Sequence, residues 1–342
     1  MAAPVYEIER HFDSSVIHSS SVQSLTQCGI AFEMRYVQGL PEEKSGSAAL
    51  FGLVMHRALE WWATDRSQSL LLLVEVAWAE MVEGTPLAAF LGEYAAFSKD
   101  AIRLEAKIKK DWAAQSKESK APRMTKVFKE SSVSRAINEL LMRYAPAMEG
   151  SPWRFHEKDP LPGLYDESLV LAKRYESRYK HLPPVLYAEI KFAVPWRSFT
   201  LKGTIDSLEL LRGPRGEPSA LLITDYKSYR HEPSEHKDYR QMVMYSVAVS
   251  IMREELGIDP DLPLYVGCDY LRLGTRTYWE MGPADFDRLE RELIVFRSTC
   301  DQKLFLPAEK GRNPDYCPFP SHCCLTSTSA AGGRAQTVEV VL

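Results

Sequence analysis

The sequence predicts an α/β fold: a mixed central sheet flanked by helices, with an extra helical region placed ahead of it. Three observations predict it. Residues 47–66 (SAALFGLVMHRALEWWATDR) carry apolar side chains at helical spacing with no internal proline, and helical patterning continues to residue 150. VLYAEIKFAV (185–194), FTLKGTIDSLELL (199–211) and ALLITDYK (220–227) are rich in β-branched and aromatic residues. KDYRQMVMYSVAVSIMREEL (237–256) returns to a helix, followed by strand patterns at 263–273 and 276–281 and a helix from near Pro283 to Gln302. Helix, three strands, helix, strand is the order of an α/β core with a mixed sheet.

Taken in order, residues 17–40 read as a short amphipathic segment around Cys28 that ends at Gly39-Leu40-Pro41. The helix at 47–66 places His56 and Glu60 four residues apart, on one face. A Lys/Ser/Pro-containing stretch at Ser116–Arg123 reads as an exposed loop. The three strands after residue 185 are parted by turn-forming stretches such as GPRGEPS (213–219), which suggests a β-meander. Four regions follow: 1–46, an N-terminal segment with Cys28; 47–180, the histidine-bearing helix and helical insertion; 181–310, the core; and 311–342, a cysteine-containing C-terminal segment. The small-residue-rich tail after Cys324 (LTSTSAAGGRAQTVEVVL) is expected to be poorly ordered at least to Gln336.

The length of 342 residues suffices for one large domain, or for a catalytic core plus an insertion. No run of about 18 apolar residues is present, so no membrane-spanning helix is expected. MAAPVYEIERHF has neither the basic nor the apolar region of a secretory signal, which leaves the cytoplasm as the expected compartment. A net charge of -4 excludes a protein that coats nucleic acid by bulk charge, but not one that grips it locally. Six cysteines in a cytosolic chain read as reduced thiols or metal ligands rather than disulfides. Cys268, inside the apolar run PLYVGCDYLRL, reads as a core residue.

The chemistry lies in the strands. Asp206 closes Gly203-Thr204-Ile205-Asp206 on the second strand, and Asp225 and Lys227 alternate on the third. Residues i and i+2 of a strand share a face, so the carboxylate and the ammonium project together. Two carboxylates with nearby backbone carbonyls suit Mg²⁺ or Mn²⁺, which prefer oxygen ligands. Such an ion lowers the pKa of a bound water and neutralises charge on a phosphate. Lys227 would orient or deprotonate that water and stabilise the phosphate in the transition state. Gln241 and Tyr245, at i and i+4, put an amide and a hydroxyl on one helix face beside the site. Singly, each motif has a plainer reading: a surface pair, a core histidine, packing residues on a helix. Their order and their placement on the right elements carry the weight.

Gly52-x3-His56-x2-Leu59-Glu60, Gly203-x-Ile205-Asp206, Asp225-Tyr226-Lys227 and Gln241-x3-Tyr245 together resemble the RecB-like, CRISPR-associated-exonuclease-like branch of the PD-(D/E)XK nuclease superfamily. The resemblance covers roughly residues 20–325 and implies a restriction-endonuclease-like core. It implies that His56, Asp206, Asp225 and the Tyr226 carbonyl hold the metal and that Lys227 is catalytic, as base or water-positioner. Gln241 and Tyr245 would support the site and DNA, and Arg240, with Lys237 and Lys202, would grip the scissile region. Glu60 would anchor His56, or else be a helix-surface glutamate; Glu189 would face the cleft, or form a strand-edge salt bridge.

Some relatives of that branch pin their chain ends with a [4Fe–4S] cluster. Cys28, Cys317 and Cys323 stand in corresponding places, but Pro314 occupies the position of one expected thiolate. Cys300 or Cys324 would have to supply the fourth ligand; zinc on Cys28, Cys317, Cys323 and His322 is an alternative, as is a set of cysteines that only pack. A basic run from Arg103 to Lys129 with Trp112 and Phe128 interleaved reads either as a DNA-contacting arm or as a solvated helix face. The function expected is a metal-dependent DNA exonuclease in recombination, repair or phage DNA processing, partnered by DNA and by a single-strand annealing protein or a helicase. The alternatives are a structure-specific or single-strand endonuclease, a CRISPR-adaptation-type exonuclease, and a non-catalytic DNA-binding subunit. No Walker motif is present, so the chain has no helicase motor of its own.

Overall fold

A computed structural model describes residues 12–42, 45–85, 87–96, 139–146, 153–155, 160–231, 238–307, 317 and 319. In chain order the first stretch holds β1 (Val16–His18), α1 (Ser19–Gln27), α2 (Gly29–Phe32) and a π-helical turn (Glu33–Val37). β2 (Ser45–Gly46), α3 (Ser47–Thr64), α4 (Leu70–Val82), β3 (Trp153–Arg154) and α5 (Leu161–Tyr179) follow. Then come β4 (Tyr187–Trp196), β5 (Phe199–Arg212), β6 (Pro218–Lys227), α6 (Tyr239–Met252), β7 (Leu264–Tyr270), β8 (Thr275–Glu280) and α7 (Pro283–Asp301). The meander and the elements after it fall where the residue patterns place them. β1 was not foreseen, because three residues are too few to show a period of two.

The chain folds as two compact units, one of 1–44, 60–67 and 178–342, the other of 45–59 and 68–177. In the first, β4 runs antiparallel along one side of β5. On the other side β1 pairs in parallel with the start of β5 and β6 pairs antiparallel with its end. β7 then joins β6 in parallel and β8 closes the sheet antiparallel. The sheet is therefore mixed and six-stranded, and β6 lies between two neighbours. Helix α6 packs on this sheet and is apolar almost all round: every residue from Met242 to Val249 is buried. A helix without a polar face belongs inside. With Leu201, Ile205, Leu208, Leu221 and Ile223 from the sheet and Leu289, Leu293 and Phe296 from α7, it forms one apolar core. Each such side chain contributes about 1.5–3 kcal/mol on burial.

The second unit is helical, with one short parallel pair, β2 and β3. Its core gathers Leu50, Val54, Leu73, Ala77, Leu164 and Tyr165. Two polar groups packed there are paired, as burial favours: Trp78 Nε1 donates to Ser168 Oγ at 2.8 Å and Tyr94 OH to Asp166 Oδ2 at 2.6 Å. Among the described residues no helix is long and apolar enough to cross a membrane. Ser116–Arg123, the basic run from Arg103 to Lys129, and the tail after Cys324 lie outside the described residues.

Gly203, part of the Gly-x-Ile-Asp motif, is needed for space. A Cβ there would stand 2.8 Å from Phe192 Cζ, and that ring is buried and packed edge-on against Tyr245. We expect Gly203→Ala to destabilise the protein by about 1–3 kcal/mol, the usual range for overpacking. Urea denaturation followed by tryptophan fluorescence measures it, and an unchanged midpoint would refute the crowding.

Candidate active site

β6 builds the centre of the site. Its residues from Ala220 to Tyr226 are buried, and alternation turns Asp225 and Lys227 to one side. Lys227 Nζ lies 2.5 Å from Asp225 Oδ2 and donates to Gln241 Oε1 at 2.9 Å. Gln241 Nε2 donates in turn to Asp225 Oδ1 at 3.0 Å and to Tyr245 OH at 2.5 Å. One amide thus meets the cation with its oxygen and the anion with its nitrogen, so its orientation is dictated. The expected i, i+4 pair on α6 borders the Asp225–Lys227 pair as the spacing requires.

Burial works against the Lys227 ammonium, yet Asp225, then Tyr229 and Asp238, outweigh it and hold its pKa above the ordinary lysine value. Burial, followed by the charges of Asp225 and Asp206, raises the pKa of Tyr245 well above that of a free phenol. Tyr245 is therefore a neutral hydroxyl beside two carboxylates.

Asp206 arrives from β5. Its Oδ2 accepts the Tyr226 backbone N–H at 2.6 Å. In extended backbone a residue's N–H and C=O face the same neighbouring strand, so the Tyr226 carbonyl is directed to the β5 side as well. The Lys227 carbonyl faces the other way and accepts the N–H of Leu271. Register brings a third acid into line. Ala188 pairs with Ser207 and Ile190 with Ile205, which sets Glu189 abreast of Asp206. Glu189 adopts a left-handed backbone, φ 51°, that side-chain-bearing residues seldom occupy. Such strain concentrates at functional sites. A carboxylate oxygen of Glu189 lies within 4.8 Å of one of Asp206.

These donors fit a hard divalent cation. Carboxylate oxygens that close together are nearly spanned by two metal–oxygen bonds of about 2.1 Å each. The two carboxylates and the directed carbonyl offer oxygen, which is the preference of Mg²⁺ or Mn²⁺. Glu189 carried little weight in the sequence; its signal, an acid on the strand before Gly203, becomes specific only once the register is known.

The remaining sequence candidates are distributed as follows. His56 is half-buried on α3, and Glu60 stands one turn further along the same helix. Arg240 is engaged elsewhere: its Nε donates to Glu292 Oε2 at 2.7 Å, tying α6 to α7. Cys28 separates α1 from α2, Cys300 is buried near the end of α7, and Cys317 is half-buried. Burial pushes the thiol of Cys300 up to about 12. Among the described residues these cysteines do not converge into a metal-holding group. Cys323, Cys324, His322, Pro314 and Lys237 lie outside the described residues.

The site holds one residue that the sequence reading passed over. Asp238, immediately before α6, is buried and lies 3.9 Å from Lys227 Nζ through its Oδ1. Tyr229 OH donates to that same oxygen at 2.8 Å.

The family model of the PD-(D/E)XK nuclease superfamily matches residues 19–324. No curated protein matches the chain.

Because Asp225 holds the buried ion pair with Lys227 and is one of the expected metal ligands, Asp225→Asn should weaken Mn²⁺ binding by about tenfold or more, about 1.4 kcal/mol. Titration calorimetry on the DNA-free protein measures it, with circular dichroism to verify the fold. An unaltered affinity would place the cation elsewhere.

Proposed function

The chain belongs to the PD-(D/E)XK nuclease superfamily, and from that premise we propose that it is a metal-dependent DNA exonuclease of the RecB-like branch. Its mixed six-stranded sheet with flanking helices is the restriction-endonuclease-like core of such nucleases. The observation that carries the reading is the closed set of Asp225, Lys227 and Gln241, with Asp206 fixed beside it on β5.

When bound, Mg²⁺ or Mn²⁺ supplies a water of lowered pKa and neutralises charge on the phosphodiester. Asp206, Asp225 and the Tyr226 carbonyl would hold the ion, with Glu189 beside them. His56 joins the ligands on the strength of its motif with Gly52, Leu59 and Glu60. Lys227, kept as an ammonium by its carboxylate neighbours, donates hydrogen bonds to the attacking water or to a phosphate oxygen. Orienting the water is therefore its role rather than removing the proton. Gln241 locks the ammonium in place, and Tyr245 keeps a neutral hydroxyl against Asp225. The intact acid–lysine set speaks against a non-catalytic subunit. DNA recombination, repair or phage DNA processing in the cytoplasm, alongside a single-strand annealing protein or a helicase, is the setting we propose.

Incubation with Mg²⁺ or Mn²⁺ and linear, closed circular, single-stranded and double-stranded DNA tests this. We expect nucleotides released from ends only, loss of cleavage in EDTA, and a fall of at least about 10²-fold in Lys227→Ala, the loss typical of one transition-state donor. Cutting of closed circles would indicate the endonuclease alternative. Cleavage that is equal in wild type and Lys227→Ala would sink the active-site assignment.

A further inference from the structure

Asp238 occupies the N-cap position of α6, yet its side chain makes no capping hydrogen bond. An aspartate there ordinarily spends its carboxylate on the first free N–H groups of the helix. This one is 4% exposed and is turned to other partners. Oδ1 accepts from Tyr229 OH at 2.8 Å and faces Lys227 Nζ at 3.9 Å; Oδ2 accepts from Tyr270 OH at 3.4 Å. A buried carboxylate is costly unless paired and hydrogen-bonded, and here two phenols and one ammonium do both.

We infer that Asp238 is a positioning residue: a second anion that holds the Lys227 ammonium so that Asp225 can be shared with a divalent cation. The inference rests on the nuclease reading and assigns Asp238 a part in it. Lys227 lies close to Asp225, at 2.5 Å, and would compete with a cation for that carboxylate. Coulomb attraction falls only as the inverse of distance, so Asp238 at 3.9 Å retains much of its pull. Tyr229 and Tyr270 anchor the carboxylate to the chain just after β6 and to the end of β7. Without that charge, Asp225 is the carboxylate left to Lys227 beside the Gln241 amide, and a cation on Asp225 competes directly with the pair.

The test is a double-mutant cycle read as Mn²⁺ affinity, by calorimetry or by electron paramagnetic resonance of the free ion. Asp238→Asn keeps the shape and the acceptor for Tyr229 while removing the charge. It should weaken Mn²⁺ binding by about tenfold in the wild-type background but by less than about twofold in Lys227→Met, because coupled residues are not additive. Tyr229→Phe, which only loosens the carboxylate, should give a smaller loss with the same dependence on Lys227, and serves if Asp238→Asn does not fold. Equal losses in both backgrounds would mean that Asp238 acts as a diffuse negative charge, and no loss that it does not act on the cation; either overturns the inference. If wild type cleaves DNA with Mn²⁺ while the cycle shows no coupling, only this inference falls. If wild type neither binds Mn²⁺ nor cleaves, the nuclease reading falls with it.

Discussion

Asp225 and Lys227 put opposite charges two residues apart on a strand that is buried along most of its length. Neither charge could stay there alone, since removing one partner of a buried pair costs about 3–5 kcal/mol. The surroundings of β6 are arranged around that constraint. Gln241 meets both members with the two ends of one amide. Asp238 supplies further negative charge for the ammonium, and Tyr229 and Tyr270 satisfy Asp238 in turn. α6, apolar along most of its length, carries Gln241 and Tyr245 in its first turns, against the side chains at the end of β6.

The other face of β6 is polar at the same level. Thr224 Oγ1 donates to Glu209 Oε1 at 2.9 Å, and Arg276 Nε pairs with Asp269 Oδ2 at 2.7 Å. Arg276 also approaches Glu209 at 3.6 Å and lies over the ring of Tyr179. Tyr226 is buried among these groups; burial, then the charge of Glu209, raises its pKa. The peptide between Asp225 and Lys227 is thus held by its side chain on this face and by the Asp206 carboxylate at its N–H. Fully satisfied networks of this kind rigidify what they surround, and a cation site built on that peptide gains a fixed carbonyl.

Much of this was legible in the residues. The three strands declared themselves through β-branched and aromatic content, and Asp225 with Lys227 through simple alternation. α6 was recognisable from its length, although its period is blurred by burial on every side. Gly203 could be seen as part of a motif, but its reason is the Phe192 ring above it. Glu189 and Asp238 were harder. An acid on a strand and an acid before a helix have commonplace explanations, a salt bridge and an N-cap. Arg240 shows a partner that proximity to Gln241 could not reveal: its side chain pairs with Glu292 of α7.

What the sequence determined by itself was what depends on a single long element: the class of the strands from Tyr187 to Lys227 and of the helices α3, α6 and α7, the shared face of Asp225 and Lys227, and the shared face of Gln241 and Tyr245. Those follow from the two-residue and 3.6-residue periods of the backbone. The tertiary structure decided which elements stand side by side. The β4–β5 register set Glu189 abreast of Asp206, and the packing of α6 on the sheet turned Asp238 from a cap into a partner of Lys227. No local period encodes such distances, because they arise from strand order and from apolar packing between segments far apart in the chain.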